Sequence, residues 1–108
     1  MAIPVDLRGT VALVTGGSRG LGRAMALALA EAGADLALAA RRVEDLQRAA
    51  EEVARRGGRA EIFRADMTQP GDIQGLVEGA MAAFGRIDVL VNNAGISGDG
   101  KPFLDLAP

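Results

Sequence analysis

The sequence predicts an α/β fold: a parallel sheet whose strands are joined through helices. Short apolar runs of strand length alternate with longer stretches whose apolar residues recur at helical spacing. Glycine punctuates nearly every junction, so the connections are short and imply parallel strands with right-handed crossovers. The chain has 108 residues, 49% of them hydrophobic, which suffices for one domain, residues 1–108, with a modest core.

The elements follow in order. Val11–Val14 (VALV) is a continuous apolar run, as expected of a strand covered on both faces. Leu21–Ala32 is rich in Ala and Leu and reads as a helix that ends against Gly33. Leu36–Ala40 (LALAA) has helix-favouring residues, but its shortness and the glycine before it argue for a second buried strand. Val43, Leu46, Ala49, Ala50 and Val53 form the apolar stripe of a second helix, with acids and arginines on the other face and Gly57-Gly58 as its stop. Ala60–Arg64 (AEIFR) is a third strand. Pro70 suits the first turn of a third helix, whose stripe is Ile73, Leu76, Val77, Ala80 and Phe84 and whose end is Gly85. Asp88–Asn92 (DVLVN) is the fourth strand. The sum is βαβαβαβ, without repeats or low-complexity linkers.

Composition narrows the chemistry. The chain holds no Cys, hence no disulfide, thiol nucleophile or Cys-ligated zinc, and no His, the commonest general base and metal ligand. No metal site is expected. The net charge of −2 offers no electrostatic footprint for nucleic acid. The N-terminus carries Asp6 and no apolar core of a signal peptide, and the apolar stretch Ala24–Ala30 is far too short to span a membrane. A soluble, cytoplasmic setting is expected.

The stretch TGGSRGLG, Thr15–Gly22, lies after the first strand and before the first helix. In a doubly wound sheet that turn faces the ligand crevice, and bare N–H groups at a helix start form an anion site. A plain tight turn would need one or two glycines; this one has four. Read from Gly17, the Walker pattern GxxxxGK[ST] fails, because Arg23 and Ala24 stand where Lys and a hydroxyl are needed. The dinucleotide pattern GxGxxG also fits inexactly: the spacing is GxxxGxG through Gly16, Gly20 and Gly22.

That spacing resembles the TGxxxGxG loop of the short-chain dehydrogenase/reductase family. Asn92–Gly95 (NNAG) is similar to the family's second signature, and Asp66 stands after the third strand, where the family has an acid that holds adenine. The resemblance runs from about Leu7 to Ile96. It implies a Rossmann-type doubly wound sheet of strand order 3-2-1-4 and a bound nicotinamide dinucleotide. By the same resemblance Gly16, Gly20 and Gly22 form the pyrophosphate turn, with Ser18, Arg19 and Leu21 as neighbours and Thr15 mainly structural. Asp66 accepts from the adenine amino group, and Met67 adds a backbone contact. Asn92, Ala94 and Gly95 lie along the adenosine ribose, Ile96 flanks the nicotinamide, and Asn93 ties strands together. Asp66 also suits a helix N-cap, and Asn92-Asn93 a simple turn.

An NAD-specific site places an acid at the end of the second strand. Here that position is Ala40, followed by Arg41 and Arg42. A small residue followed by a base resembles the family's NADP-preferring members, and Arg19 stands to approach the 2′-phosphate from the other side. The alternative is a solvated arginine pair ahead of a helix.

The family transfers hydride with YxxxK, a serine and a further asparagine. This chain has no tyrosine, and its one lysine is Lys101. The resemblance therefore implies the cofactor-binding half of an NADP(H)-dependent oxidoreductase, with no catalytic residue present and no activity alone. The whole enzyme would reduce carbonyls or oxidise alcohols, as a homo-oligomer. A non-catalytic dinucleotide-binding module is the competing expectation. The fourth strand is expected to show an open edge and an uncovered face.

Overall fold

The computed structural model describes residues 6–16 and 19–93. Seven elements alternate: β1 (Val11–Thr15), α1 (Gly20–Glu31), β2 (Asp35–Ala40), α2 (Val43–Arg55), β3 (Ala60–Arg64), α3 (Pro70–Phe84) and β4 (Val89–Asn92). The four strands form one parallel sheet in the order β3-β2-β1-β4. This is the doubly wound, Rossmann-type arrangement that the sequence predicts.

The strands hold their faces apart by strict alternation. Ala12 and Val14 of β1 and Leu36 and Leu38 of β2 pack under α1 and α2, against Ala26, Ala30, Leu46, Ala49 and Val53. Leu13, Ala37 and Ala39 point the other way, toward Leu76 and Ala80 of α3. Both central strands are buried on both faces, which explains why LALAA is a strand despite its composition: burial and pairing on two sides outweigh helix propensity. Alanine at so many contact positions lets the helices sit close to the sheet.

Helix ends follow local chemistry. Gly33 and Gly85 adopt φ of +105° and +80°, the left-handed conformation that stops a helix without Cβ strain. Pro70 opens α3 with no N–H to leave unpaired. Three strand boundaries shift by a residue from expectation: β1 ends at Thr15, β2 begins at Asp35 and β4 at Val89. Asp88 instead brackets Val11, donating its N–H to the Val11 carbonyl at 2.8 Å and accepting the Val11 N–H on its carboxylate at 2.8 Å. A laced surface joins α1 to α2, with Arg23 on Glu52 and Arg56 on both Glu31 and Glu52.

The predicted stripe of α3 is corrected at one position. Leu76 and Ala80 are buried, but Val77 is exposed, as are Met81 beside it and Leu90 on β4, which is 63% exposed. Val89 and Val91 pack toward α1 and α2, while Leu90 and Asn92 face the other side. There an apolar groove of about 250 Å³ opens between α3 and β4, lined by Leu13, Ile73, Leu76, Val77, Ile87 and Leu90. The outer edge of β4 has no strand beside it among the described residues. No helix among them is long and apolar enough to cross a membrane.

The Asp88 carboxyl is held below the ordinary carboxylate range, first by the hydrogen bond from the Arg86 guanidinium and then by the Val11 N–H. The unfolded chain binds that proton at a higher pH than the folded one. The contact therefore stabilises the fold at neutral pH, and its contribution is lost as pH falls through the depressed folded value. In denaturant titrations between neutral pH and about pH 3, Asp88→Asn is expected to be less stable at neutral pH. It should also lose less on acidification than the unsubstituted chain; parallel curves would refute this.

Candidate functional site

Because every strand is parallel, the four C-terminal ends lie along one edge of the sheet. In spatial order they are Arg64 of β3, Ala40 of β2, Thr15 of β1 and Asn92 of β4, with Ala40 in register with Arg64 and Thr15 with both Ala39 and Asn92. Pairing continues one step past each end. Ala65 donates its N–H to Ala40, Gly16 to Ala39 and Asn93 to Thr15. The chain order reverses between β1 and β4, which is where ligands enter sheets of this kind.

Thr15 is the hub at that point. Its side chain is buried. Its hydroxyl donates to Asn92 Oδ1 at 3.1 Å and accepts the Asn93 N–H at 3.2 Å. The side chain of Asn92 is thus fixed from β1, and Asn93 ties β4 to β1 through its backbone.

The glycine loop has two separate steric reasons for glycine. Gly16 and Gly20 adopt φ of +67° and +57°, which side chains rarely tolerate. Gly22 has ordinary φ but no room: a Cβ there would lie 2.2 Å from the Gly16 carbonyl oxygen and 2.8 Å from Asn93 Nδ2. Helix α1 then starts bare. Its N-cap, Arg19, makes no side-chain capping bond, and its first turn holds no acid. The N–H groups of Gly20, Leu21 and Gly22 lie in that turn, where a helix supplies no acceptor. By contrast α2 opens with Glu44 and Asp45 and α3 with Asp72.

Around this edge sit two further groups. Ala40 is half-buried at the end of β2, and Arg41 and Arg42 follow it, both exposed. Asp66 follows β3. Its Oδ1 accepts from the Thr68 hydroxyl at 2.7 Å and the Thr68 N–H at 2.9 Å. Those bonds, the hydroxyl first, hold its carboxyl below the usual range, with Arg41 and Arg64 adding attraction. It is therefore ionised at neutral pH, and Oδ2 carries no bond among the described residues.

Asp66 is not the N-cap of α3, an option the sequence left open. Gln69 takes that place, and the Asp66 N–H instead donates to Asp72 Oδ2 at 2.9 Å. Asp72 and Thr68 are the supports that sequence reading passes over. The available signals were the acid three residues after Gln69 and the Asp-x-Thr spacing, a common side-chain turn. Met67 stands beside Asp66 and lines the apolar groove. Ser18, Ala94, Gly95 and Ile96 lie outside the described residues.

A glycine turn, a bare helix start, arginines after the second strand and an ionised acid after the third, all on one sheet edge, define a nucleotide-binding α/β protein. The comparisons make this specific. The family model "short chain dehydrogenase" matches residues 10–108, and the chain belongs to that family. It is 46% identical over 85 residues to an uncharacterized oxidoreductase of Mycobacterium tuberculosis, covering 79% of this chain and 32% of that protein. It is 39% identical over 102 residues to a short-chain dehydrogenase/reductase of Aspergillus oryzae, covering 94% of this chain and 39% of that one. Among solved structures it resembles a metagenomic short-chain oxidoreductase in complex with NADP, with a TM-score of 0.81 and 44% identity, covering 94% of this chain and 46% of that chain. The chain thus spans less than half the length of these relatives.

The two kinds of glycine separate by experiment. Gly20→Ala meets open space and should cost only the left-handed strain, about 1–2 kcal/mol. Gly22→Ala must displace backbone and should cost about 3 kcal/mol or more, or prevent folding. Thermal melts read both; equal costs would contradict the steric account.

Proposed function

We propose that these residues are the cofactor-binding portion of an NADP(H)-dependent short-chain oxidoreductase. Its reaction class is carbonyl reduction or alcohol oxidation. The observation that carries this reading is the sheet edge itself, where the glycine loop and bare α1 start meet Arg19, Ala40-Arg41-Arg42, Asp66 and Asn92.

The donor set fits the cofactor. The first-turn N–H groups of α1, approached over Gly16, Gly20 and Gly22, would take the pyrophosphate, with Ser18 and Leu21 flanking it. Ionised Asp66, through its open Oδ2, would accept the adenine amino group, and Met67 would add its backbone. Asn92, with Ala94 and Gly95, would lie along the ribose, and Ile96 beside the nicotinamide. Arg41, with Arg19 and Arg42 nearby, would hold the 2′-phosphate, and Ala40 would leave room that an acid would deny. When bound, NADP(H) supplies or accepts the hydride. The work of this chain's residues is to bind and orient it.

The 108 residues contain no tyrosine or histidine to protonate a substrate oxygen. Taken alone, the chain should bind without turning over. The second reading is a non-catalytic dinucleotide-binding module. The complete protein would act in the cytoplasm as a homo-oligomer.

Nicotinamide fluorescence titrations test the cofactor assignment. NADPH should bind more tightly than NADH. Arg41→Ala should weaken NADPH about ten- to a hundredfold and spare NADH, the range expected of one charge-assisted contact. Ala40→Asp should turn the preference toward NADH. Unchanged NADPH/NADH ratios in both variants would sink the NADP reading. NADPH oxidation by the chain with a carbonyl substrate would refute the claim of inactivity.

A further inference from the structure

The Arg19 side chain is 75% exposed, yet it leans on one acid, Asp45, with Nε at 3.9 Å from Oδ2. Asp45 lies in the first turn of α2, the helix into which Arg41 and Arg42 lead, and its side chain is only 17% exposed. Its other oxygen meets Arg48 Nη1 at 3.4 Å. A carboxylate is thus built into the same corner as the arginines that would receive a phosphate.

We propose that Asp45 is a cofactor-selectivity residue: a resident counter-anion that competes with the 2′-phosphate of NADP for Arg19. The inference rests on the NADP reading above and adds a residue to it. Two effects of Asp45 oppose each other. It could orient Arg19 for the phosphate, or it could hold the guanidinium back and repel the incoming dianion. The geometry decides for the second. A single-nitrogen contact at 3.9 Å is too long to fix a side chain that is three-quarters exposed, so little orientation is gained. Asp45, by contrast, is anchored on a helix and shielded by it, so its charge stays when the phosphate arrives. A phosphate held by Arg19 would stand within one Debye length, about 8 Å at physiological salt, of a carboxylate 3.9 Å from the Arg19 guanidinium, so their repulsion would not be screened out. Arg48 offsets part of that charge from the other side. An unphosphorylated ribose brings no charge to the corner, so Asp45 acts on one cofactor and not the other. It narrows the preference that Arg41 and Arg19 create.

The test uses the adenine-side fragments 2′,5′-ADP and 5′-ADP, titrated calorimetrically into the chain, alongside NADPH and NADH. Asp45→Asn keeps the side chain's size and removes the charge; Asp45→Ser repeats the removal, and circular dichroism checks the fold of both. Each should tighten 2′,5′-ADP roughly two- to fivefold, the scale of one exposed ion pair, and leave 5′-ADP unchanged. Combined with Arg19→Gln, the gain should shrink. Glu44→Gln removes a neighbouring charge that does not touch Arg19 and should give a smaller gain. Unchanged or weaker 2′,5′-ADP binding in both Asp45 variants overturns the proposal, as does an equal gain from Glu44→Gln. If the unsubstituted chain prefers neither NADPH nor 2′,5′-ADP, the cofactor reading itself fails and takes this role with it. A preserved preference that ignores Asp45 removes only the role of Asp45.

Discussion

The close approach of Gly22 to the Gly16 carbonyl is the constraint on which the rest depends. The space where a Cβ would stand is occupied by the end of β1 on one side and by Asn93 of the β4 end on the other. Helix α1 therefore meets the backbone past β1 and the side-chain amide of Asn93 with no side chain of its own between them. That contact sets the angle at which α1 leaves the sheet, and so where its unpaired N–H groups point. It also brings α1 against the alanine-rich face of β1 and β2, where Ala26 and Ala30 are buried with Ala12 and Val14. Larger residues at those helix positions would lift α1 and open the turn. The small-residue core and the glycine loop are one packing solution seen at two places.

Much of this was legible in the sequence because it is local. Alternation of strand-length and helix-length patterns, Gly33 and Gly85 as stops and Pro70 as a start are each written within a few residues of where they act. The site was legible for a different reason: parallel strands put every loop after a strand on one edge, so motifs far apart in sequence become neighbours without further information. What was not legible depends on distance and direction. The sequence offers Asp66 as a cap, but capping requires a spacing that the Asp66–Thr68 turn does not leave. Asp72 reaches back from the helix instead. Val77 has the right spacing for the α3 stripe, yet the sheet beneath it ends at β4. The Arg19–Asp45 approach joins a loop to the next helix over, which no spacing rule reports.

Charge is distributed to match the packing. Helices α2 and α3 open with acids that complement their own dipoles, and those acids are spoken for: Asp45 by arginines, Asp72 by the Asp66 backbone. Helix α1 alone among the three opens without one. Its uncompensated N-terminus is less favourable for the free chain than a capped one would be, by the magnitude of an absent cap, about 1 kcal/mol. Such an end is open to completion by an anion from outside the chain.

The two sides of the site are supported unequally. On the adenine side, Asp66 is held by Thr68 and Asp72, and the β2 end is paired on both flanks, so every support lies within the described residues. At the β4 end, Asn92 and Asn93 are anchored from β1 alone, beside a groove that α3 does not close. Under the proposed reading, cofactor contacts on the adenine side would rest on well-supported residues. The β4 end is held through its ladder with β1 and through the Thr15 hydroxyl. The two halves of the sheet edge thus differ in how many contacts hold them, and the β3–β2 half is the more completely supported.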